Sequence, residues 1–498
     1  MPGGNPVAMT EGKAPALHSR YNPQGEAERY IDALNPGGET GYFILIEPGR
    51  GYLVPVLQKR YPGAAMIALH LDPAFKPAAG ETGVPAWFPG QEPGLQRFLE
   101  EHIPDTEARF VRIIEWRPGL RVYGERYLRL LEEAAEFIRR IDASARTARN
   151  FGRRWLRNFF KNLRLLDSPL KPEPFNRPLA ITGAGPGLEE AIPRIRELKK
   201  ARPLFVLAAA SSLAALARGG IIPDLVFSAD GGPWALRHLY ECFRLPNRAG
   251  GPPPLAANLC AALPSQCAAL PIMALNDGSL WQRIVLEGLN IPSLTVPQRG
   301  TVGAAALDLA LSLSAGNIFI AGMDLAVRDL KTHARPYGFE PLFRGTATRF
   351  HPYYSQIFNR AGEIRRGGSY QIYAAWFEKQ LAGWPGRIFS LGENNPVFRN
   401  LKTPAELPGA DTAGTHAGRR IPAAAGPAEL LGAGRRIPAA AGRGAEILIR
   451  ALSVPALAET LIGELAPLLC PDRGKIPAGE LGAEIQALAR PYTEGRRG

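Results

Sequence analysis

At 498 residues the chain is longer than one hydrophobic core ordinarily organises, so two or three domains are expected. Hydrophobic residues at 46% and charged residues at 21% are globular proportions and exclude a disordered or fibrous chain. A net charge of +13 favours anionic partners. No stretch interleaves arginine with exposed aromatics in the manner of single-strand binders, so nucleic acid is not an expected partner.

The four cysteines, Cys242, Cys260, Cys267 and Cys470, form no C-x-x-C pair. This argues against a structural zinc or a disulfide framework, and no metal site is expected from them. Residues 1–24 carry no apolar h-region of the secretory kind. The most apolar run, Leu204–Ala217, is too short to span a bilayer and is broken by Ser211 and Ser212. A cytoplasmic protein without a membrane span is the expectation.

In chain order, residues 18–120 outline a small N-terminal Rossmann-like domain. The apolar run Tyr42–Ile46 is followed by the turn Glu47-Pro48-Gly49-Arg50-Gly51, and Ala65–Leu71 is a second run, a βαβ outline. Residues 121–175 form a basic helical connector. In it Tyr127, Leu130, Leu131, Ala134, Phe137, Ile138 and Ile141 recur at helical spacing. Its basic part carries Arg146, Arg149, Arg153, Arg154, Arg157 and Lys161, with Trp155 and Phe159 between them. That pattern fits a solvated helix with inward aromatics, or an anion-facing surface.

Residues 176–402 alternate short apolar runs with helical stretches. The runs are Leu179–Thr182, Leu204–Ala209, Leu225–Ala229, Ile272–Leu275, Leu294–Val296, Ile318–Ala321 and Ile388–Leu391. They are continuous rather than alternating, as strands buried on both faces must be. The fold class is therefore α/β, with a Rossmann-like, doubly wound, mostly parallel sheet in this central catalytic domain. Residues 403–443 are a low-complexity linker in which Gly418–Gly426 recurs identically at Gly434–Gly442, and residues 444–498 read as a helical C-terminal segment.

Four blocks of the central domain carry chemistry. In the first, the run Leu179–Thr182 ends in Gly183-Ala184-Gly185-Pro186-Gly187 and opens a helix, a strand–turn–helix whose N–H groups suit a phosphate. It is neither a Walker A loop nor G-x-G-x-x-G. In the second, Gly220-Ile221-Ile222-Pro223-Asp224 leads through a run to Asp230, at the carboxyl edge where open α/β sheets bind ligands. Such a carboxylate takes ribose hydroxyls or a metal, or simply closes a turn. Asn276, closing the Ile272–Leu275 run, joins the candidate binding residues. In the third, Arg299 and Thr301 precede an Ala/Leu helix, as an anion clamp or an ordinary cap. In the fourth, Gly322-Met323-Asp324-Leu325-Ala326 follows a strand, and Thr332-His333-Ala334 comes after it. His333 is the candidate general base, Asp324 its catalytic companion and His351 the rival.

Together and in this order, the blocks resemble the motility accessory factor (Maf) family of flagellin glycosyltransferases. That family is grouped with the domain named for the 6-hydroxymethylpterin diphosphokinase (MptE-like). The family pattern G-x-G-P-S-L is matched at Gly183–Leu188, and G-I-x-P-D before a strand ending in Asp at Gly220–Asp230. G-x-D-L-A with a downstream T-H-A is matched at Gly322–Ala326 and Thr332–Ala334. Further similarity at Ser19–Pro23, Thr147–Asn162 and Tyr370–Leu381 extends the resemblance over about residues 18–402.

The resemblance implies a core similar to bacterial sialyltransferases, a CMP-activated nonulosonic acid as nucleotide-linked donor, and flagellin Ser or Thr as acceptor. It assigns the CMP phosphate to the turn at Gly183, Gly185, Pro186 and Gly187. It assigns proton removal to His333 or a carboxylate, with Asp230 and Asp324 as partners and His351 in reserve. One departure stands out: the family's Ser after the Pro is Gly187 here. A hydroxyl-to-phosphate hydrogen bond of about 1.5–3 kcal/mol is thus unavailable. Two other readings accompany this one. The first is an ATP- and Mg-dependent pyrophosphokinase acting on a pterin-type alcohol, with Asp230, Asp277 and Asp324 holding metal. The second is a non-catalytic flagellin-binding chaperone.

Overall fold

The computed structural model describes residues 17–36, 40–103, 110–167, 169–245, 252–328, 330–366, 374, 377, 381, 383–384, 386–392, 440–471 and 476–493. The chain divides into two compact units, Met1–Asn150 and Phe151–Gly498.

The first unit runs α1 (Pro23–Leu34), β1 (Tyr42–Ile46), α2 (Leu53–Arg60), β2 (Ala65–Leu69), α3 (Lys76–Glu81), β3 (Ala86–Trp87), α4 (Leu95–His102), β4 (Val111–Glu115) and α5 (Arg117–Tyr123). Its sheet has the order β3-β2-β1-β4, with all pairings parallel. Phe43, Ile44, Leu45 and Ile46 are fully buried because β1 is covered on both faces.

Helix α6 (Glu125–Leu163) has 39 residues. Tyr127, Leu130, Ala134, Phe137 and Ile141 enter the core of the first unit. Leu156, Phe159, Phe160 and Leu163 enter that of the second. Arg146, Arg149, Arg154 and Arg157 point to solvent. The basic stretch is thus a helix with its aromatic Phe159 turned inward and its arginines outward.

In the second unit the strands are β5 (Leu179–Thr182), β6 (Phe205–Ala209), β7 (Leu225–Ser228), β8 (Leu255–Asn258), β9 (Ile272–Asn276), β10 (Ser293–Thr295), β11 (Ile318–Ala321) and β12 (Ile388–Ser390). They alternate with α7 (Leu188–Ala201), α8 (Leu213–Arg218), α9 (Leu236–Leu239), α10 (Leu280–Gly288), α11 (Val302–Leu313), α12 (Glu340–Gly345) and α13 (Tyr353–Arg366). The order is β10-β9-β8-β7-β6-β5-β11-β12, parallel throughout. The chain winds outward from β5 to β10, then returns to lay β11 on the other side of β5. That reversal is the topological switch point of a doubly wound sheet.

The continuous apolar runs split by alternate residues. Ala180, Val206 and Phe319 enter one core; Leu179, Ile181, Phe205, Leu207, Ile318 and Ile320 enter the other. Strand β8, Leu-Ala-Ala-Asn, is absent from the runs picked out by sequence. Its alanines lack the branching that marks a strand.

Helices Ala440–Leu452, Pro455–Leu469 and Ala478–Ala489 form the helical C-terminal region. They join the larger core through Leu448, Leu461, Leu465, Leu481 and Ile485. Glu464 accepts the N–H groups of Leu280 (2.9 Å) and Trp281 (3.0 Å), capping α10. Residues 403–439, with the first copy of the repeat, and most of Tyr370–Leu381 lie outside the described residues. All four cysteines are buried, and none forms a disulfide among the described residues. No described helix is long and apolar enough to cross a membrane.

Candidate functional site

Because β5 and β11 are neighbours, the turns that follow them meet. The Gly183 N–H donates to the Ala321 carbonyl at 2.8 Å, and the Gly185 N–H to the Gly322 carbonyl at 2.6 Å. Gly322 has φ +63°, in the left-handed region that favours glycine. A Cβ on Gly183 would overlap the Gly322 carbonyl oxygen, and one on Gly185 or Gly187 would overlap the Asp324 carboxylate. The glycines therefore permit one turn to lie directly on the other.

Asp324 is buried, and its carboxylate accepts the Gly187 N–H at 2.9 Å and faces Arg328 at 3.6 Å. Burial pushes its pKa up, while the Gly187 N–H and Arg328 oppose that. The N-terminus of α7, which the sequence assigns to a phosphate, thus already carries an anion from the protein itself. In the structure Gly183, Gly185 and Gly187 serve the joint with β11, and Gly187 leaves room for Asp324.

The loop after Asp324 is strapped across the first turn of α7. Arg328 pairs with Glu190 (2.8 Å) and Lys331 with Glu189 (2.8 Å). Glu189 also accepts the Arg335 N–H (2.8 Å), and Ala184 accepts the Ala334 N–H (2.8 Å). The strap sets His333 beside the glycine-rich turn. The His333 ring stacks on Tyr337 with centroids 3.9 Å apart, and its Nδ1 lies 2.9 Å from the Thr332 hydroxyl. Burial first, then Arg360 and His238, lower its pKa to about 3, so the imidazole is neutral at physiological pH. His333 lines a cavity of about 40 Å³ with Lys331, Arg335, Tyr353, Gln356 and Arg360.

His238, on α9, was not singled out by sequence. It lies 5.2 Å from the Tyr337 ring and edge-on to Phe339 at 4.8 Å. Burial lowers its pKa to about 4, against the raising effect of Asp230. Asp230 thus acts on the cluster through its charge. Its own carboxylate is exposed and closes a turn on the Gly232 N–H at 2.7 Å.

The remaining candidates fall elsewhere. Asn276 ends β9, four strands from β5, or roughly 19 Å at the usual strand spacing. It is occupied by Gly278 N–H (3.0 Å), Thr295 (3.0 Å) and Ser293 (3.1 Å). Arg299 pairs with Asp308 at 2.7 Å. Thr301 caps α11 by accepting the Ala304 N–H at 3.0 Å. The first turn of α11 does reach the β11 turn, for a Cβ on Gly303 would sit 3.5 Å from the Met323 sulfur. His351 is exposed and does not line the His333 cavity. Asp230, Asp277 and Asp324 follow β7, β9 and β11, roughly 10 Å or more apart, so they do not converge on one metal ion. Among the described residues no three His, Cys, Asp or Glu side chains cluster as a metal site.

A parallel, doubly wound α/β sheet with its loops gathered at the β5/β11 switch point defines a Rossmann-like protein. Residues 153–330 match the family described as 6-hydroxymethylpterin diphosphokinase MptE-like. An uncharacterized protein of Treponema pallidum (strain Nichols) is 30% identical over 284 residues, covering 57% of this chain and 60% of that protein's length. The structure of MAf glycosyltransferase from Magnetospirillum magneticum AMB-1 matches with a TM-score of 0.50 and 14% identity, covering 94% of this chain and 78% of that one. At that identity the likeness is one of fold. The chain therefore carries a domain similar to the MptE-like family at residues 153–330, in a fold like that of the MAf glycosyltransferase.

Proposed function

We propose that the chain is a nucleotide-sugar-dependent glycosyltransferase that moves a nonulosonic acid from its CMP-activated form to a Ser or Thr hydroxyl of flagellin. One observation carries the reading: a neutral histidine, His333, is tied by Ala334 and Glu189 to the switch-point turn and lines a cavity beside it. In the tautomer whose Nδ1–H donates to the Thr332 hydroxyl, Nε2 is the nitrogen free to receive a proton.

In the reaction, the acceptor oxygen bonds to the anomeric carbon as the bond from that carbon to the phosphate oxygen breaks. The electron pair leaves with CMP, and the hydroxyl proton passes to His333 Nε2. A positioned base of this kind is worth about 10²–10⁴-fold in rate. Burial and Arg360 make the free imidazole a weak base. A bound anion beside Arg360 offsets part of that effect, so donor binding strengthens the base when it is needed.

The fold shared with the MAf glycosyltransferase supports this reading. The test is incubation of the purified chain with flagellin and CMP-linked nonulosonic acids, followed by intact-mass measurement of flagellin. One sugar increment per modified site is expected. No increment with any CMP-linked donor, together with ATP- and Mg-dependent pyrophosphorylation of a pterin alcohol, would establish the diphosphokinase reading instead. Flagellin capture by a protein inactive in both assays would establish the chaperone reading.

A further inference from the structure

Three arginines gather around the segment from Arg335 to Arg344, each laid on an aromatic ring. Arg237 lies 6.0 Å from the Trp234 centroid, Arg344 lies 5.9 Å from Tyr353, and Arg360 lies 5.1 Å from Phe343. Among the described residues, none of the three pairs with a carboxylate. The carboxylates nearby are already engaged: Glu241 by Arg244 at 3.0 Å and Glu340 by Arg335 at 3.2 Å.

Arg237 and Arg344 line a groove of about 620 Å³ with Tyr240, Arg244 and Tyr337. Arg360 lines the smaller His333 cavity, and Tyr337 and Glu340 belong to both walls. A groove of this size is within the range of small-molecule sites. Guanidinium forks held over aromatic rings are pre-organised for phosphate or carboxylate oxygens. Tyr240, 41% exposed, lines the groove and offers a ring face to a base. The glycine-rich turn offers the opposite: an anion brought to α7 meets the carboxylate of Asp324, which holds the Gly187 N–H.

Resting on the glycosyltransferase reading, we propose that the anionic groups of the nucleotide-linked donor are held by Arg237 and Arg344 in this groove and by Arg360 in the adjoining His333 cavity, and not by the glycine-rich turn. His333, across Tyr337, then faces the reacting end of the donor.

The test is equilibrium binding of CMP, UMP, AMP and GMP to the full chain at low and high salt, beside inorganic phosphate and an acidic peptide. The wild type, Arg237→Gln/Arg344→Gln and Arg360→Gln are compared, with thermal melts to verify folding. Arg344→Glu, at an exposed position, serves as the second variant where a melt shows misfolding. Nucleotide binding that weakens with salt, and falls about tenfold or more with each guanidinium removed, is expected. Unchanged nucleotide affinity in the double variant overturns the proposal. So does a wild type that binds the acidic peptide and no nucleotide. The flagellin mass assay separates the two readings. Sugar transfer by the wild type, with arginine-independent nucleotide affinity, removes only the groove assignment. Absence of transfer with every CMP-linked donor removes the glycosyltransferase reading itself.

Discussion

The carboxylate of Asp324 accepts the amide N–H of Gly187 at 2.9 Å, so a residue three positions past β11 caps the helix after β5. Two motifs that look independent in the sequence are one joint in the fold. The joint leaves no room for a side chain at Gly183, Gly185 or Gly187.

Substitution at the joint should therefore rank by what the new Cβ meets. In Gly183→Ala it meets the Gly322 backbone carbonyl, which is fixed by the sheet; in Gly187→Ala it meets the movable end of Asp324. Gly183→Ala is expected to lose about 1–3 kcal/mol or more, as overpacking does. Gly187→Ala is expected to lose less, on the scale of one charge-assisted hydrogen bond, about 1.5 kcal/mol. Urea unfolding of the two variants checks this, and the reverse order would contradict the joint as described.

Removal of the two histidines should have unequal effects. His333→Ala is expected to lower transfer by about 10²–10⁴-fold. His351→Ala, at an exposed position, should leave the rate within about twofold, as surface changes remote from the chemistry do. Initial rates with saturating donor decide it; equal losses would place His351 at the site as well.

The two depressed histidines set a pH dependence of stability. His333 and His238 move from 6.5 when unfolded to about 3 and about 4 when folded. Between those values the unfolded chain binds more protons, so stability is fully present above about 6.5 and is lost as pH falls toward 4. Melting temperature should therefore drop through that window, and drop less steeply in His238→Gln. Parallel curves for the variant and the wild type would show that His238 carries no such linkage.

The strap over α7 depends on Glu189, which holds both Lys331 and the Arg335 N–H. Glu189→Gln should cost only about 0.2–1 kcal/mol in global stability, since the ion pair is partly exposed. Its larger effect should be local, as faster amide hydrogen exchange at Ala334. Exchange unchanged there would mean that the loop is held by something other than Glu189.

Removal of the cap on α10 tests the role of the C-terminal helices. Glu464→Ala frees the N–H groups of Leu280 and Trp281 and is expected to cost about 1–2 kcal/mol. A denaturation midpoint equal to that of the wild type would show the cap to be dispensable.

The class of the fold and the local turns are legible in the sequence. Runs such as Ile318–Ala321 and Leu179–Thr182 have no polar face, so they are strands covered on both sides, and a parallel doubly wound sheet follows. The glycine-rich turn after Thr182 is likewise a local signal. Strand β8 escaped notice because two alanines carry too little branching to mark a strand, and its place between β7 and β9 decides its state.

Which carboxyl-edge loops meet is set by strand order and not by any local signal. Strand order places Asp324 on Gly187 across 137 positions, leaves Asn276 at the far side of the sheet, and leaves His351 in solvent. It also assembles His238 with Tyr337, and sets Arg237 and Arg344 in one groove and Arg360 in the cavity that shares Tyr337 and Glu340 with it, from segments with no motif in common. Periodicity and turn chemistry act over a few residues and are legible locally. The pairing of β5 with β11 is set by burial of apolar faces across the whole unit, and the site follows from that pairing.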